Sequence, residues 1–246
     1  MKSALITGAN KGIGFETARQ LLQKEYHVYL GSRDLRNGLK AVEKLKTEGL
    51  INVELVQFDV TDSESVKAAR AEIGKKTNVL DVLINNAAIS GGFANQSAIN
   101  ADVSFYKAVY ETNVFGVVRV TQAFIDLLQK SDQPRIVMVS SGMGSLTLNS
   151  DPTWQWYNAK GAVYQSSKSA LNMYTINLAY ELRDTPFKVN AISPGFIKTD
   201  FNENRGTGKV EDAAPRIIKY AMIGDDGPTG KFFAEDANSE MSEIPW

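Results

Sequence analysis

The stretch "SALITGANKGIGFETARQLL", Ser3 to Leu22, passes from one kind of secondary structure to another through a cluster of glycines. "SALIT" (3–7) is a short apolar run of strand character. "GFETARQLLQKE" (14–25) puts Phe15, Ala18, Leu21 and Leu22 on one helix face. Between them lies "TGANKGIG" (7–14), with Gly8, Gly12 and Gly14. Glycines at such a junction let the chain turn tightly. They also keep side chains away from the helix N-terminus, where free backbone N–H groups attract an anion. Strand, glycine turn and helix in that order predict the first unit of a dinucleotide-binding α/β fold. The spacing is G-x-x-x-G-x-G in place of the usual G-x-G-x-x-G, in the same context.

The same alternation continues outward. Further strand candidates are "HVYLGS" (27–32), "VELVQFD" (53–59), "VLDVLIN" (79–85), "RIVMVS" (135–140), "KVNAIS" (188–193) and "KFFA" (231–234). They are apolar throughout, as strands covered on both faces are. Helical segments separate them. "LKAVEKLKTEG" (39–49) ends on Gly49, suited to a left-handed stop, and "TDSESVKAAR" (61–70) opens with Thr61 and Glu64 at capping-box spacing. Long helices are expected over 104–130 and 163–183. No repeat or linker interrupts the 246 residues. The expectation is a single α/β domain over 1–246: a doubly wound Rossmann sheet of about seven parallel strands with helices on both faces.

Composition narrows the chemistry. The chain has no cysteine and one histidine, His27, at a strand start. Disulfides, thiolate nucleophiles, Cys/His metal sites and the usual Ser-His-Asp hydrolysis are excluded, and His27 is read as structural. Acid–base work then falls to tyrosine, lysine or carboxylates. A net charge of −1 offers no basic field for nucleic acid or anionic lipid. No apolar run reaches the roughly 18 residues of a membrane span. No signal-peptide pattern opens the chain, and a cytoplasmic protein is expected.

The second strand should end at the adenosine ribose. An acidic residue there favours NAD, an arginine the 2′-phosphate of NADP. This strand ends "LGSRDLR" (30–36), with Arg33, and Lys11 in the glycine turn adds a second cation. NADP(H) is the preferred cofactor, with NAD(H) the alternative if Asp34 does the reading.

"YNAKGAVYQSSKSA" (157–170) holds two Tyr–Lys pairs. Tyr157 and Lys160 are three apart, and Gly161 weakens any helix that would hold them. Tyr164 and Lys168 are four apart, on one face of a long helix. A free tyrosine titrates near 10, and a neighbouring ammonium lowers that value toward neutrality. Tyr164 with Lys168 is the expected acid–base pair.

Several motifs in chain order together resemble the short-chain dehydrogenase/reductase family, over nearly the whole chain. They are "TGANKGIG" (7–14), "FDV" (58–60), "NNAA" (85–88), "TNVFG" (112–116), "VSSGMG" (139–144), "YQSSK" (164–168) and "SPGFIKT" (193–199). "NKGIG", "GSRDLRNGLKAVEKL" and "PGFIKTDF" look most like the carbonyl reductase branch. Two departures stand out: Ala88 replaces the family's usual glycine, and Ser141 lies 23 positions before Tyr164, about twice the common interval.

The resemblance implies roles. Tyr164 gives a proton to a carbonyl oxygen, and Ser141, second of the pair Ser140–Ser141, donates a hydrogen bond to it. Lys168 also binds the nicotinamide ribose, and Asn113 holds a water that links Lys168 to solvent. Gly8, Asn10, Lys11, Gly12, Ile13 and Gly14 form the cofactor turn. Asp59 and Val60 flank the adenine, and Asn86 lies along the ribose. Pro194, Gly195, Ile197 and Thr199 surround the nicotinamide. Read from the residues, two segments are candidates for the substrate side: an insertion over 143–163, carrying Trp154, Trp156 and Tyr157, with packing of the insertion or a subunit contact the alternative for the two tryptophans, and a polar lid over 200–215. Phe196 is a further wall. The expected partner is a bulky, apolar ketone or aldehyde, with no nucleic acid or membrane partner and a dimer or tetramer open. The competing readings are a dinucleotide-binding regulator without catalysis and a nucleotide-sugar epimerase or dehydratase.

Overall fold

Apolar runs buried on both faces become the strands of one sheet. In the computed structural model, which describes residues 1–92, 94, 96–234 and 242–246, the strands are β1 Ser3–Ile6, β2 His27–Ser32, β3 Val53–Gln57, β4 Val82–Asn85, β5 Arg135–Val139, β6 Lys188–Ser193, β7 Lys231–Ala234 and β8 Ser242–Glu243. Their order is β3-β2-β1-β4-β5-β6-β7-β8. The first seven are parallel. β8 is an antiparallel edge, pairing Phe233 with Glu243 and Ala234 with Ser242. The sequence expectation of about seven strands omitted β8, because two residues are too few to show a period.

The helices are α1 Gly12–Gln23, α2 Leu35–Thr47, α3 Ser63–Gly74, α4 Val103–Tyr110, α5 Gly116–Leu128, α6 Leu146–Ser150, α7 Ala162–Glu181 and α8 Val210–Ala221. Alternate residues of β1 serve opposite cores. Ala4 and Ile6 join a cluster with α1, α2 and α8 through Leu21, Leu45 and Ile217. Leu5 joins a second cluster with α3, α5 and α7 through Ile73, Phe124 and Leu171. Fully burying each such side chain contributes about 1.5–3 kcal/mol before entropy is counted. No described helix is long and apolar enough to cross a membrane.

Helix ends follow local chemistry. Gly49 stands just past α2 at φ +84, where Leu50 N–H donates to Leu45 O and Gly49 N–H to Lys46 O, each at 3.0 Å. The cap of α3 differs from expectation. Asp62 accepts from the N–H groups of Glu64 and Ser65. Thr61 instead donates to Asp59, from its N–H at 2.9 Å and its hydroxyl at 2.8 Å.

Three long segments also depart from the sequence reading. The helix expected over 104–130 is interrupted by a π-helical turn, Glu111–Phe115, between α4 and α5. The 143–163 insertion contains α6 and the first residues of α7. The 200–215 segment is only partly loop: from Val210 it is α8, whose Ala213 and Ala214 are fully buried. Pro215 disguised that helix, since a proline inside a helix leaves a carbonyl one turn back without its N–H partner. Here Gln20 of α1 donates to that carbonyl, Glu211 O, at 3.3 Å.

The chain runs outward from β1 to β3 and then crosses to β4 beside β1. The loops leaving β1 and β4 therefore face each other at the switch point, where open α/β sheets bind ligands.

Candidate active site

The glycine turn is fixed from the neighbouring strand. Thr7 Oγ accepts from the N–H groups of Asn86 and Ala87, both at 2.9 Å. The Asn86 amide donates to Thr7 O at 2.8 Å and Gly8 O at 3.1 Å. Its NH2 is thus taken up in holding the turn, a scaffold job the sequence reading did not give it. Gly8 and Gly12 have φ of +62 and +59. A Cβ at Gly14 would sit 2.5 Å from the Asn86 amide nitrogen and 2.7 Å from Gly8 O. Asn10 and Ile13 are half-buried in the same turn, Ile13 against the core. Lys11 stands at the N-cap of α1 with no side-chain cap. The result is a helix N-terminus without a side-chain cap behind a turn whose glycines adopt positive φ or leave no space for a Cβ, which fits the pyrophosphate of a dinucleotide.

At the end of β2, Asp34 caps α2 by accepting from Asn37 N–H at 2.7 Å. Arg33 is exposed, 3.7 Å from Asp59, whose carboxylate also holds Thr61. Val60 packs against Gly116 at the start of α5, and its carbonyl accepts from Arg119. Lys11 does not meet Arg33 in a shared pair. It makes an ion pair with Asp200 at 3.0 Å.

The proposed acid–base residues converge beyond β5. Ser141 stands beside the Tyr164 hydroxyl and favours its ionised form. Ser140, fully buried, instead donates to Asn172 at 2.6 Å. Lys168 is buried, donates to Val139 O at 2.8 Å and lies 5.7 Å from the centre of the Tyr164 ring. Burial pushes Tyr164 well above the ordinary tyrosine value, and Ser141 opposes this only in part. The lowering expected from the lysine does not contribute here: desolvation sets the direction, and Tyr164 is a protonated acid at neutral pH. Burial pushes Lys168 down to about 7.

Asn113 occupies the π-helical turn and is fully buried. Such turns often mark functional positions within helices. Its amide bonds twice to the backbone of Ile89, accepting from N–H and donating to O, both at 2.9 Å.

The segment after β6 covers this group. Gly195 turns the chain at φ +93, and Pro194 O accepts from Arg216 of α8. Ile197 is buried and bridges to Gly208. Thr199 and Asn202 form a capping box, and the Thr199 methyl lies 3.6 Å from where a Cβ of Gly12 would be. Phe196 meets Trp156 with centroids 5.8 Å apart. Trp154 is half-buried in the insertion, and Lys160 lies 4.1 Å over the ring of Tyr157 and donates to Asn149 O. At the opposite end of the strands a second concavity includes Lys2, His27, Glu54, Lys76 and Asp81. Lys76 there is paired with Glu54 at 2.7 Å, His27 lies 3.1 Å from Glu54, and Asp81 accepts from Ser3 N–H. It offers no convergent set of unpaired groups among the described residues.

The family described as short chain dehydrogenase matches residues 2–209. The chain belongs to the short-chain dehydrogenase/reductase family. This short-chain dehydrogenase is 32% identical to salutaridine reductase of Papaver bracteatum, over 95% of this chain and 94% of that protein. It is 33% identical to (+)-neomenthol dehydrogenase of Capsicum annuum, over 94% of each. Its fold matches an NADPH-bound carbonyl reductase from chicken fatty liver with a TM-score of 0.84, at 29% identity over 100% of this chain and 99% of the other. The protein is an oxidoreductase of this family, similar to carbonyl reductases.

Sequence reasoning missed several residues of this short-chain dehydrogenase site. Thr7, Asn172, Ser167 and Gln96 act through hydrogen bonds to distant segments, which no local pattern reveals. Phe201 stands in "PGFIKTDF" and in the segment read as a polar lid, but was given no place in the site. Its position three residues after Lys198, in the turn that follows "PGFIKT", was the available signal.

Proposed function

We propose that the protein is an NADP(H)-dependent carbonyl reductase, reversibly converting a bulky, apolar ketone or aldehyde to its alcohol. The observation that carries this reading is the grouping of Tyr164, Ser141 and Lys168 beyond β5, at the same sheet end as the glycine turn. The uncapped N-terminus of α1 and the glycine cradle would hold the cofactor pyrophosphate. Asp59 and Val60 would flank its adenine, and Pro194 to Thr199 its nicotinamide. A bound nicotinamide supplies the hydride.

The protein's own residues supply the rest. Ser141 donates a hydrogen bond where negative charge develops on the carbonyl oxygen. Tyr164, held protonated by burial, passes its proton to that oxygen. Lys168, titrating at about 7, refills the phenolate at physiological pH. Asn113 fixes the loop after β4 against the catalytic helix. Asp34 is engaged as a helix cap. That leaves the exposed Arg33 to meet a 2′-phosphate, with Lys11 available once it parts from Asp200, and supports NADP(H) over NAD(H).

The test is consumption of NADPH and of NADH against a panel of ketones, aldehydes and quinones. Turnover with NADPH is expected. No turnover with either cofactor across a broad panel overturns the reading. Tyr164→Phe should lower turnover by about 10²–10⁴-fold while cofactor binding, followed by fluorescence, stays unchanged.

A further inference from the structure

Helix α7 carries Tyr164 in its first turn, and its N-cap residue is Gly161, which has no side chain to cap with. The first N–H groups of a helix have no partner inside it. Gln96, from the loop after β4, supplies two. Its backbone carbonyl accepts from Ala162 N–H at 2.8 Å, and its side-chain Oε1 accepts from Tyr164 N–H at 3.0 Å. A Cβ at Gly161 would stand 3.2 Å from that same Oε1, so the glycine leaves room for the glutamine.

The other end of the Gln96 amide reaches back into its own loop. Nε2 donates to Ser90 O and Gly92 O, both at 2.8 Å. Ile89, one residue earlier, is the double partner of Asn113. Asn113 also donates to Ser167 Oγ at 3.1 Å, and Ser167 donates to Tyr164 O at 2.7 Å. The connections close a ring: Tyr164, Gln96, the 89–92 turn, Asn113, Ser167 and Tyr164 again. Both backbone polar groups of Tyr164 belong to it.

We propose that Gln96 is the positioning residue for Tyr164, capping the catalytic helix from outside and locking its first turn to the loop that Asn113 anchors. The proposal rests on the reductase reading, in which the placement of the Tyr164 hydroxyl beside Ser141 sets the rate. Small misplacements of a reacting group cost up to about 10²-fold. The alternative is an ordinary staple between loop and helix, which would affect stability alone.

Two near-isosteric variants of the full chain separate these roles. Gln96→Met fills the same space without the Oε1 acceptor, and Gln96→Glu keeps an acceptor for Tyr164 N–H. NADPH binding is followed by fluorescence, turnover by NADPH consumption with an aryl ketone, and the Tyr164 amide by hydrogen exchange. Gln96→Met should lower kcat about 10- to 100-fold, with KM and Kd for NADPH within about twofold and faster exchange at Tyr164. Gln96→Glu should recover only part of kcat and of the slow exchange, because it keeps the acceptor for Tyr164 N–H but cannot donate to Ser90 O and Gly92 O. Equal losses in both variants overturn the proposal. So does a fall in NADPH affinity that matches the fall in kcat, an unchanged kcat in Gln96→Met, or loss of folded protein in that variant. If the wild-type chain shows no turnover, the reductase reading fails. Hydrogen exchange at Tyr164 then still reports whether Gln96 holds the turn.

Discussion

Phe201 lies edge-on against the ring of Tyr164, with centroids 5.5 Å apart. It comes from the short turn that follows β6, and Phe196 of the same segment meets Trp156 of the insertion. The two segments thus build one aromatic cover over the proposed proton donor. Phe201→Ala should change the ratio of kcat/KM between a bulky aryl ketone and a small aliphatic one by about tenfold, in favour of the bulkier substrate. One pocket contact of this kind is worth about 1–3 kcal/mol. Because Phe201 is 37% exposed, its melting temperature should move little. Steady-state kinetics with paired substrates checks this.

The adjacent serines should separate cleanly. Ser141 stands beside the Tyr164 hydroxyl, whereas Ser140 donates to the buried Asn172. Ser141→Ala should lower kcat by about 10²–10³-fold, as loss of an oxyanion donor does, with only a small drop in thermal midpoint from the loss of its acceptor for Met143 N–H. Ser140→Ala leaves a buried acceptor unmatched and should cost about 1–3 kcal/mol of stability, visible in a denaturant melt.

Lys168 sets a pH dependence. Below about 7 it is an ammonium that can refill the phenolate; above about 7 it is neutral. Reduction should slow as pH rises through about 7, and alcohol oxidation should quicken. The same group affects stability. In the unfolded chain it keeps its proton up to its ordinary value of 10.5, so between about 7 and 10.5 the unfolded state binds more protons. Stability contributed by this position therefore rises with pH across that window. Lys168→Met should abolish the kinetic inflection, raise the melting temperature near pH 7, and lose that advantage by pH 10.5. Activity profiles and melts over the same pH series test both.

Lys11 and Arg33 should govern cofactor choice. Arg33→Ala should lower the NADPH-to-NADH ratio of kcat/KM by about 10- to 100-fold, the worth of a hydrogen bond to a charged group. Asp200 holds Lys11 at 3.0 Å and competes with any phosphate for it. Asp200→Asn should tighten NADPH binding several-fold at low salt and lose that gain as salt screens the charges. Fluorescence titration at two ionic strengths distinguishes the outcomes.

Much of the fold was legible because its physics is local. Strands covered on both faces must be apolar throughout, and Gly49 marks its helix end by backbone freedom alone. What escaped was non-local. Pro215 sits inside α8 because Gln20 of another helix takes the carbonyl it frees. Asp62 capped α3 because Thr61 was already engaged by Asp59. In the site, spacing singled out Tyr164 and Lys168, since one helix face brings them together. The direction of the Tyr164 shift could not be read that way. It depends on how much protein surrounds the hydroxyl, and only the folded chain sets that. Gln96 left no mark in the sequence, since its partners are backbone groups of residues far along the chain.

The π-helical turn at Glu111–Phe115 carries one residue more than an uninterrupted helix needs. Removing that residue would let α4 run straight into α5, a more regular helix. It would also turn everything on one side by about 100° relative to the other, and Asn113 would leave Ile89 and Ser167. At this place the protein keeps a flaw in its regularity in order to aim one amide, so a shortened variant should gain helix and lose turnover together.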